Sequence, residues 1–387
     1  MAGPDGPRTV LYVHSSAGRY GADRQLALLV SHLDPDRYRA VAVLPHDGPL
    51  VGELSAAGAE VDVRPGLAVL RRGLFTPSGL ARVLARAAAD ARALARLARR
   101  RGVRLVHTNT SVTLGGAAAA RAARLPHVWH VREIYADFAR WWPAYRRLLL
   151  SADAVPCLSE ATRAQFGAAR NALVIPEGLP DEATARRPLA RAAARSALDL
   201  PEEAFTCLVL GRLNSWKGQE VLVEALARLG PAAAAVQLVL AGDIYPGDEP
   251  IGAALRRQVE LAGLQDRVVF PGFADPQDVL AVSDIIVSPS TRPEPFALAV
   301  VDALCAGRPV IASAHGGHLE QVRDGVDGLL VPPGDAGALA QALLRLLADA
   351  ALRRRMAAAA HRDRRRFSLD ASLPAMWAIY GEALAGP

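Results

Sequence analysis

Two carboxylates, Glu294 and Asp302, stand eight positions apart in R-P-E-P-F-A-L-A-V-V-D. Before them runs a β-branched stretch, Asp284 to Val287, closing in Ser288-Pro289-Ser290. After them come an apolar helical segment, Ala297 to Leu304, a stop at Gly307 and a second strand from Pro309 to Ala312. Pro295, Phe296, Ala297 and Leu298 therefore form a loop-to-helix junction at the carboxyl end of a strand. Ligands of open α/β sheets bind at such places, and a helix start offers N–H groups to hydroxyls or anions. Eight residues make about two helical turns, so both acids can serve one elongated polyhydroxyl ligand. The same spacing also suits a helix with one capping acid and one exposed acid.

A second pair of charges suits phosphate. In G-R-L-N-S-W-K-G, Gly211 to Gly218, Arg212 offers a planar fork and Lys217 a point ammonium across a strand-to-helix turn. The two phosphates of a nucleotide diphosphate fit that combination, and the helix dipole adds to it. A brace on a carboxylate and a solvated lysine fit it too. Near the start, S-S-A-G-R-Y-G-A-D puts Gly18 and Gly21 in a turn before a helix beginning around Ala22, which reads as a ligand loop or an ordinary βα turn. His130, in V-W-H-V-R-E, lies on an apolar strand, a setting that also suits a core histidine satisfied by its neighbours.

Taken in order with H-T-N-T at His107 to Thr110 and D-G-V-D-G-L-L-V-P-P-G-D at Asp324 to Asp335, these stretches resemble glycosyltransferase family 4 over nearly the whole chain. That group is retaining, uses nucleotide sugars and has the two-domain GT-B fold. The resemblance implies an α/β protein of two Rossmann-like parallel-sheet domains facing across a cleft, with the donor nucleotide mainly on the second. It implies that His130 lies beside the donor sugar, holding it and stabilising oxocarbenium-like charge rather than acting as nucleophile. Glu294 would meet the transferred sugar and Asp302 the ribose. No D-x-D stands in a metal–diphosphate context, so no metal and no cofactor beyond the donor nucleotide sugar is expected. The chain departs from the family pattern at Asp302, where Glu is usual, at Glu177 after Pro176, and at Tyr20, Gly21 and Asp23, where paired glycines and a glutamate are usual. A sugar-nucleotide epimerase, a glycan phosphorylase and a binding-only protein share the fold as alternatives.

Alternating β-rich and helical stretches supply the scaffold these residues need. Strands are expected near Val10–His14, Ala40–Leu44, Arg104–Thr108, Val128–Val131, Ala154–Leu158 and Leu173–Ile175. The second half repeats the pattern near Cys207–Leu210, Gln237–Ala241, Val268–Phe270, Ile285–Val287, Val310–Ala312 and Leu329–Val331. The aperiodic stretch Pro176 to Pro188 reads as the connection, which gives domains at 1–178 and 179–363, with a helix at 364–387 returning to the first by resemblance.

Composition narrows the class further. With 387 residues, 51% of them apolar, the chain can bury two cores and is not disordered. Three scattered cysteines, Cys157, Cys207 and Cys305, favour a reducing compartment and argue against a disulfide framework or structural zinc. No leader-like segment opens the chain and no apolar run reaches membrane-spanning length, so a cytoplasmic protein is expected. The net charge of +6 comes almost wholly from arginine. Along Leu80 to Arg101, Leu80, Val83, Leu84, Ala87, Ala91, Leu94, Ala95 and Ala98 share one face, with Arg82, Arg86, Arg92, Arg96, Arg99 and Arg100 opposite. That basic face is either simply solvated or a peripheral contact for anionic lipid or an acidic acceptor. No aromatic residue interleaves it, which excludes a nucleic-acid platform. The acceptor stays open between a glycan, a lipid-linked intermediate and a small natural-product scaffold, and W-W-P-A-Y-R-R, Trp141 to Arg147, suits either packing or an acceptor platform.

Overall fold

The computed structural model describes residues 6–70, 77–135, 140–180, 191–245 and 247–386. Much of the expected connection (residues 181–188) lies outside the described residues, as does the side chain of Leu80. Two compact units are present: 1–176 together with 372–387, and 177–371.

The first unit is built on parallel strands β1 (Arg8–Val13), β2 (Tyr38–Leu44), β3 (Glu60–Val63), β4 (Val103–Thr108) and β5 (His127–Trp129), in the order β3-β2-β1-β4-β5. A parallel pair, β6 (Val155–Cys157) and β7 (Ala172–Val174), continues the sheet through bridges Val128↔Ala154 and Val131↔Cys157. Side chains alternate between the faces of a strand. Val10 and Tyr12 therefore pack with Leu26, Leu50 and Leu54, while Leu11 and Val13 pack with Leu94, Leu97 and Ala119. Both faces are covered, as an all-parallel sheet requires. Met376, Ile379 and Tyr380, from the last helix, Leu369–Ala385, complete the first of these cores.

The second unit has six parallel strands: β8 (Phe205–Leu210), β9 (Val236–Ala241), β10 (Val268–Gly272), β11 (Ile285–Ser288), β12 (Val310–Ser313) and β13 (Gly328–Val331). Their order, β10-β9-β8-β11-β12-β13, is that of a doubly wound nucleotide-binding sheet. The order reverses between β8 and β11, and the loops after these two strands share one crevice edge.

Every strand expected from the sequence is present to within two residues at each end. One strand, β3, was not expected. Its four residues E-V-D-V carry two acids, and an edge strand with only one paired side tolerates such charge. The helix foreseen over Leu80–Arg101 is observed at Pro77–Arg100, and the one around Ala22 begins at Gly21.

The D-G-V-D-G-L-L-V-P-P-G-D stretch proves to be architecture. Asp327, fully buried, accepts from Arg323 Nε, Arg323 N and Arg366 Nη2, each at 2.8 Å. Asp324 Oδ1 takes the amide of Leu330 at 2.9 Å, and Asp335 caps the helix Ala336–Ala348 through Ala338 N. Replacing Asp327 with Ala should destabilise this unit by about 2 kcal/mol, less than for a fully buried pair because both arginines reach solvent. Asp335→Ala should cost about 1 kcal/mol as a lost cap. Urea unfolding of the two variants measures both, and a smaller loss at Asp327 than at Asp335 would contradict the bracing role.

Candidate active site

At the reversal between β8 and β11, Lys217 and Glu294 meet. Lys217 Nζ lies 2.9 Å from Glu294 Oε1, which also accepts from Ser290 Oγ at 2.7 Å. Among the described residues no bond falls on Glu294 Oε2. Burial alone would raise the pKa of this carboxyl, but Lys217, His318 and Ser290 outweigh it and hold Glu294 below its ordinary value. His318 is itself pulled down to about 4 by burial and is neutral. Its Nδ1–H donates to Ser313 O and its Nε2 pairs with Ser288 Oγ, each at 3.0 Å.

Close backbone packing sets this arrangement. Gly218 has φ +71°, and a Cβ there would sit 2.0 Å from Pro289 O, so only glycine lets the β8 loop reach the β11 loop. Gly316 and Gly317 press against the backbone of Glu294 and Pro295 in the same way, and Gly317 N donates to Glu294 O at 2.7 Å. Asn214 Oδ1 accepts from Trp216 N and Lys217 N, forming the turn that aims Lys217. Gln321 clamps Ala297 through both backbone groups at 3.1 Å.

The remaining expected residues of this unit make contacts of their own. Arg212 lies with its guanidinium carbon 5.3 Å from the ring centroid of Tyr245, which also packs against Trp216. The helix after the acids runs from Leu298 to Cys305 and leaves Glu294 in the preceding loop. The two full helical turns inferred between the acids are therefore not there: only residues 298–301 of the intervening stretch are helical, and Ala297, clamped by Gln321, is extended. Asp302 is 3% exposed on the inner side of that helix. Phe296 packs edge-on against Phe367.

In the first unit the corresponding reversal lies between β1 and β4. His14, Asn109 and His130 follow the strand ends there. Asn109 Nδ2 donates to His14 Nδ1 at 3.2 Å, so the proton of His14 is on Nε2, facing Asp23 Oδ1 at 3.0 Å. Burial drives the His14 pKa down, so the ring stays neutral beside the Asp23 carboxylate. Arg132 bonds Asn109 twice, through Nε to the carbonyl at 2.8 Å and Nη2 to Oδ1 at 3.1 Å. Glu133 accepts from Ser111 and from Arg132 N rather than pairing outward. His130 is 4% exposed, and among the described residues neither ring nitrogen has a hydrogen-bond partner. Burial first, then Arg132 and His107, hold it well below the ordinary imidazole pKa.

Gly18 and Gly21 lie in the β1 loop without positive φ, and Gly21 is already the first helical residue. The tight approach is made instead by Gly48, where a Cβ would come 2.3 Å from Ala17 O. His14, Asn109, Ser290, His318 and Gln321 were not singled out from sequence. Of these, only Asn109, within H-T-N-T, and Ser290, within Ser288-Pro289-Ser290, fell in stretches quoted above.

The depressed carboxyl at 294 has a measurable consequence. Its charged form stabilises the fold above the unfolded value near 4.5, and that contribution is lost as pH falls through the lower folded value. The stability difference between wild type and Glu294→Gln should therefore be largest near neutrality and shrink below about pH 4.5. Denaturation curves from pH 7 to 3 read it directly, and a constant difference would mean that Glu294 does not titrate as described.

Comparison with known proteins places this geometry. Residues 19–182 match the family described as Glycosyltransferase Family 4, and residues 190–363 match Glycosyl transferases group 1. The chain is 38% identical over 212 residues to a D-inositol 3-phosphate glycosyltransferase of Salinispora tropica, covering 52% of this chain and 43% of that protein. It is 32% identical over 179 residues to the alpha-D-kanosaminyltransferase of Streptomyces kanamyceticus, 45% of each. The matched part thus spans under half of these curated relatives. Along the whole chain, the structure of Anabaena HepE in complex with UDP-glucose superposes with a TM-score of 0.83 at 26% identity, covering 96% of this chain and 99% of that one. With both halves matched in order and the fold shared end to end, the chain belongs to the family 4 glycosyltransferases of GT-B type.

Proposed function

We propose that the protein transfers a sugar from a nucleoside-diphosphate sugar to a hydroxylated acceptor, with retention of configuration and without a metal ion. One observation carries this reading. Of 45 basic residues, a single one is lysine, and it is Lys217, paired with the buried Glu294 where β8 and β11 diverge. A chain that writes every other cation as arginine keeps a compact ammonium at this position. An ammonium has three donors, so its contact with Glu294 leaves donors for a phosphate oxygen. Arg212 and the start of the helix Gln219–Leu229 add positive potential. Leaving-group charge is then stabilised by fixed protein groups.

Glu294 Oε2 is the group we assign to a hydroxyl of the transferred sugar, and Asp302 to the ribose. His130 is assigned to the sugar as a neutral imidazole. A neutral ring beside an oxocarbenium-like centre hydrogen-bonds without repelling it, as an imidazolium would. The HepE complex makes UDP-glucose the first donor to test, and the curated relatives make D-inositol 3-phosphate the first acceptor. A nucleotide-sugar panel separates transfer from epimerisation and from binding alone. Transfer in excess EDTA supports the reading, and activity recovered only with magnesium or manganese overturns its metal-independent part.

Lys217 gives a sharper measure. Lys217→Ala should weaken nucleoside diphosphate by about 1.5–3 kcal/mol. Lys217→Arg keeps the charge but should recover little, since a planar fork replaces a point donor. Calorimetry decides, and full affinity in Lys217→Arg would show that charge alone suffices.

The acceptor side includes the helix Pro77–Arg100. Arg82, Arg86, Arg92, Arg96, Arg99 and Arg100 are all exposed, and the helix's one acid, Asp90, turns inward to Ala68 N. No described helix is long and apolar enough to cross a membrane. We assign this face to a peripheral anionic surface. Flotation with anionic vesicles should bring the protein up, at about 1 kcal/mol per arginine near the surface. Arg86→Glu with Arg96→Glu should abolish it. Equal flotation with zwitterionic vesicles would refute the assignment.

A further inference from the structure

Beneath His130 lies a buried layer that the proposed reaction does not use. Tyr12 pairs with His107 across β1 and β4, and His107 pairs with Val128 across β4 and β5. These three share a face of the sheet, and two residues further along each chain the same face carries His14, Asn109 and His130. The ring of His107 stands 5.7 Å from that of His130. Tyr380, from the last helix, covers this lower layer.

Hydrogen bonding fixes the proton on His107. The Tyr380 hydroxyl donates to Tyr12 Oη at 3.2 Å, so toward His107 Nδ1, at 2.5 Å, its oxygen accepts. The Nδ1–H tautomer follows, leaving a lone pair on His107 Nε2. Among the described residues, that atom and both ring nitrogens of His130 are buried without partners, three orphaned nitrogens on two neighbouring rings. A buried unsatisfied polar group is costly, and natural folds retain such groups where a ligand completes them. Packing alone does not call for imidazole at 107, since a leucine would fill this apolar layer without orphaning a nitrogen.

We propose that His107, locked by the Tyr380 hydroxyl, is a positioning residue for His130, so that the C-terminal helix sets the orientation of the sugar-facing imidazole. The inference rests on the role assigned to His130 above. The Tyr12–Tyr380–His107 chain fixes the tautomer and the plane of the His107 ring, which stands against the ring of His130. The last helix enters this unit at Ser372, so a single hydroxyl on it ties the chain end to the site.

Steady-state kinetics with the working donor test this on the full chain, with calorimetry of the nucleoside diphosphate alongside. His130→Ala should abolish turnover. Tyr380→Phe and His107→Leu should each lower kcat on the order of 10- to 100-fold, as small misplacements do, with nucleotide affinity unchanged. The double variant should be no slower than the worse single one, because both act through one ring. His107→Gln, which keeps a polar partner for Tyr380, should recover part of kcat. Ring 15N shifts of His130 should move in Tyr380→Phe while the other histidine shifts of the folded protein, His107 apart, stay in place. Turnover retained in His130→Ala would overturn the sugar-facing role itself. Turnover lost there but unchanged in folded Tyr380→Phe and His107→Leu, with His130 shifts unmoved, would overturn only the positioning role.

Discussion

The second unit depends on one buried ion pair, Lys217 with Glu294. A carboxylate at 6% exposure is unfavourable unless its charge is met, and here an ammonium and the Ser290 hydroxyl meet it on a single oxygen. Much else in this unit serves that contact. Gly218 lets the β8 loop come within reach, Asn214 shapes the turn that carries Lys217, and Gly316 and Gly317 press the Glu294 backbone into place. The pair is worth little as stability for its own sake. What it does is fix a carboxylate oxygen and an ammonium against each other at the sheet's reversal.

The first unit solves a different problem, placing neutral polar rings in an apolar sheet. His14 is satisfied by Asn109 and Asp23, and Arg132 in turn braces Asn109. His130 stands in the same row yet has no hydrogen-bond partner on its ring among the described residues. The two histidines follow β1 and β5, on either side of Asn109 after β4, and Asn109 bonds to His14. Both are nearly inaccessible; only their hydrogen bonding differs.

The family's sequence signatures also divide. G-R-L-N-S-W-K-G and R-P-E-P-F carry Lys217 and Glu294, the pair at the reversal of the second sheet. D-G-V-D-G-L-L-V-P-P-G-D carries neither: its aspartates bind Arg323 and Arg366, cap a helix and close a turn.

The sequence by itself determined the strands and the sheet class, because a two-sided parallel sheet demands continuous apolar runs and these are local. Short, acid-bearing β3 escaped because edge pairing is not a local property. Glu294, Lys217 and His130 were legible as candidates through their place after strands, and the lone lysine marked its own position. Only the tertiary structure decided what each one touches. That Glu294 leaves the helix, that Lys217 reaches it, that His14 is satisfied and His130 is not, and that Tyr380 stands under His107 all depend on contacts between residues up to 273 positions apart. No window of sequence contains them; the strand order does.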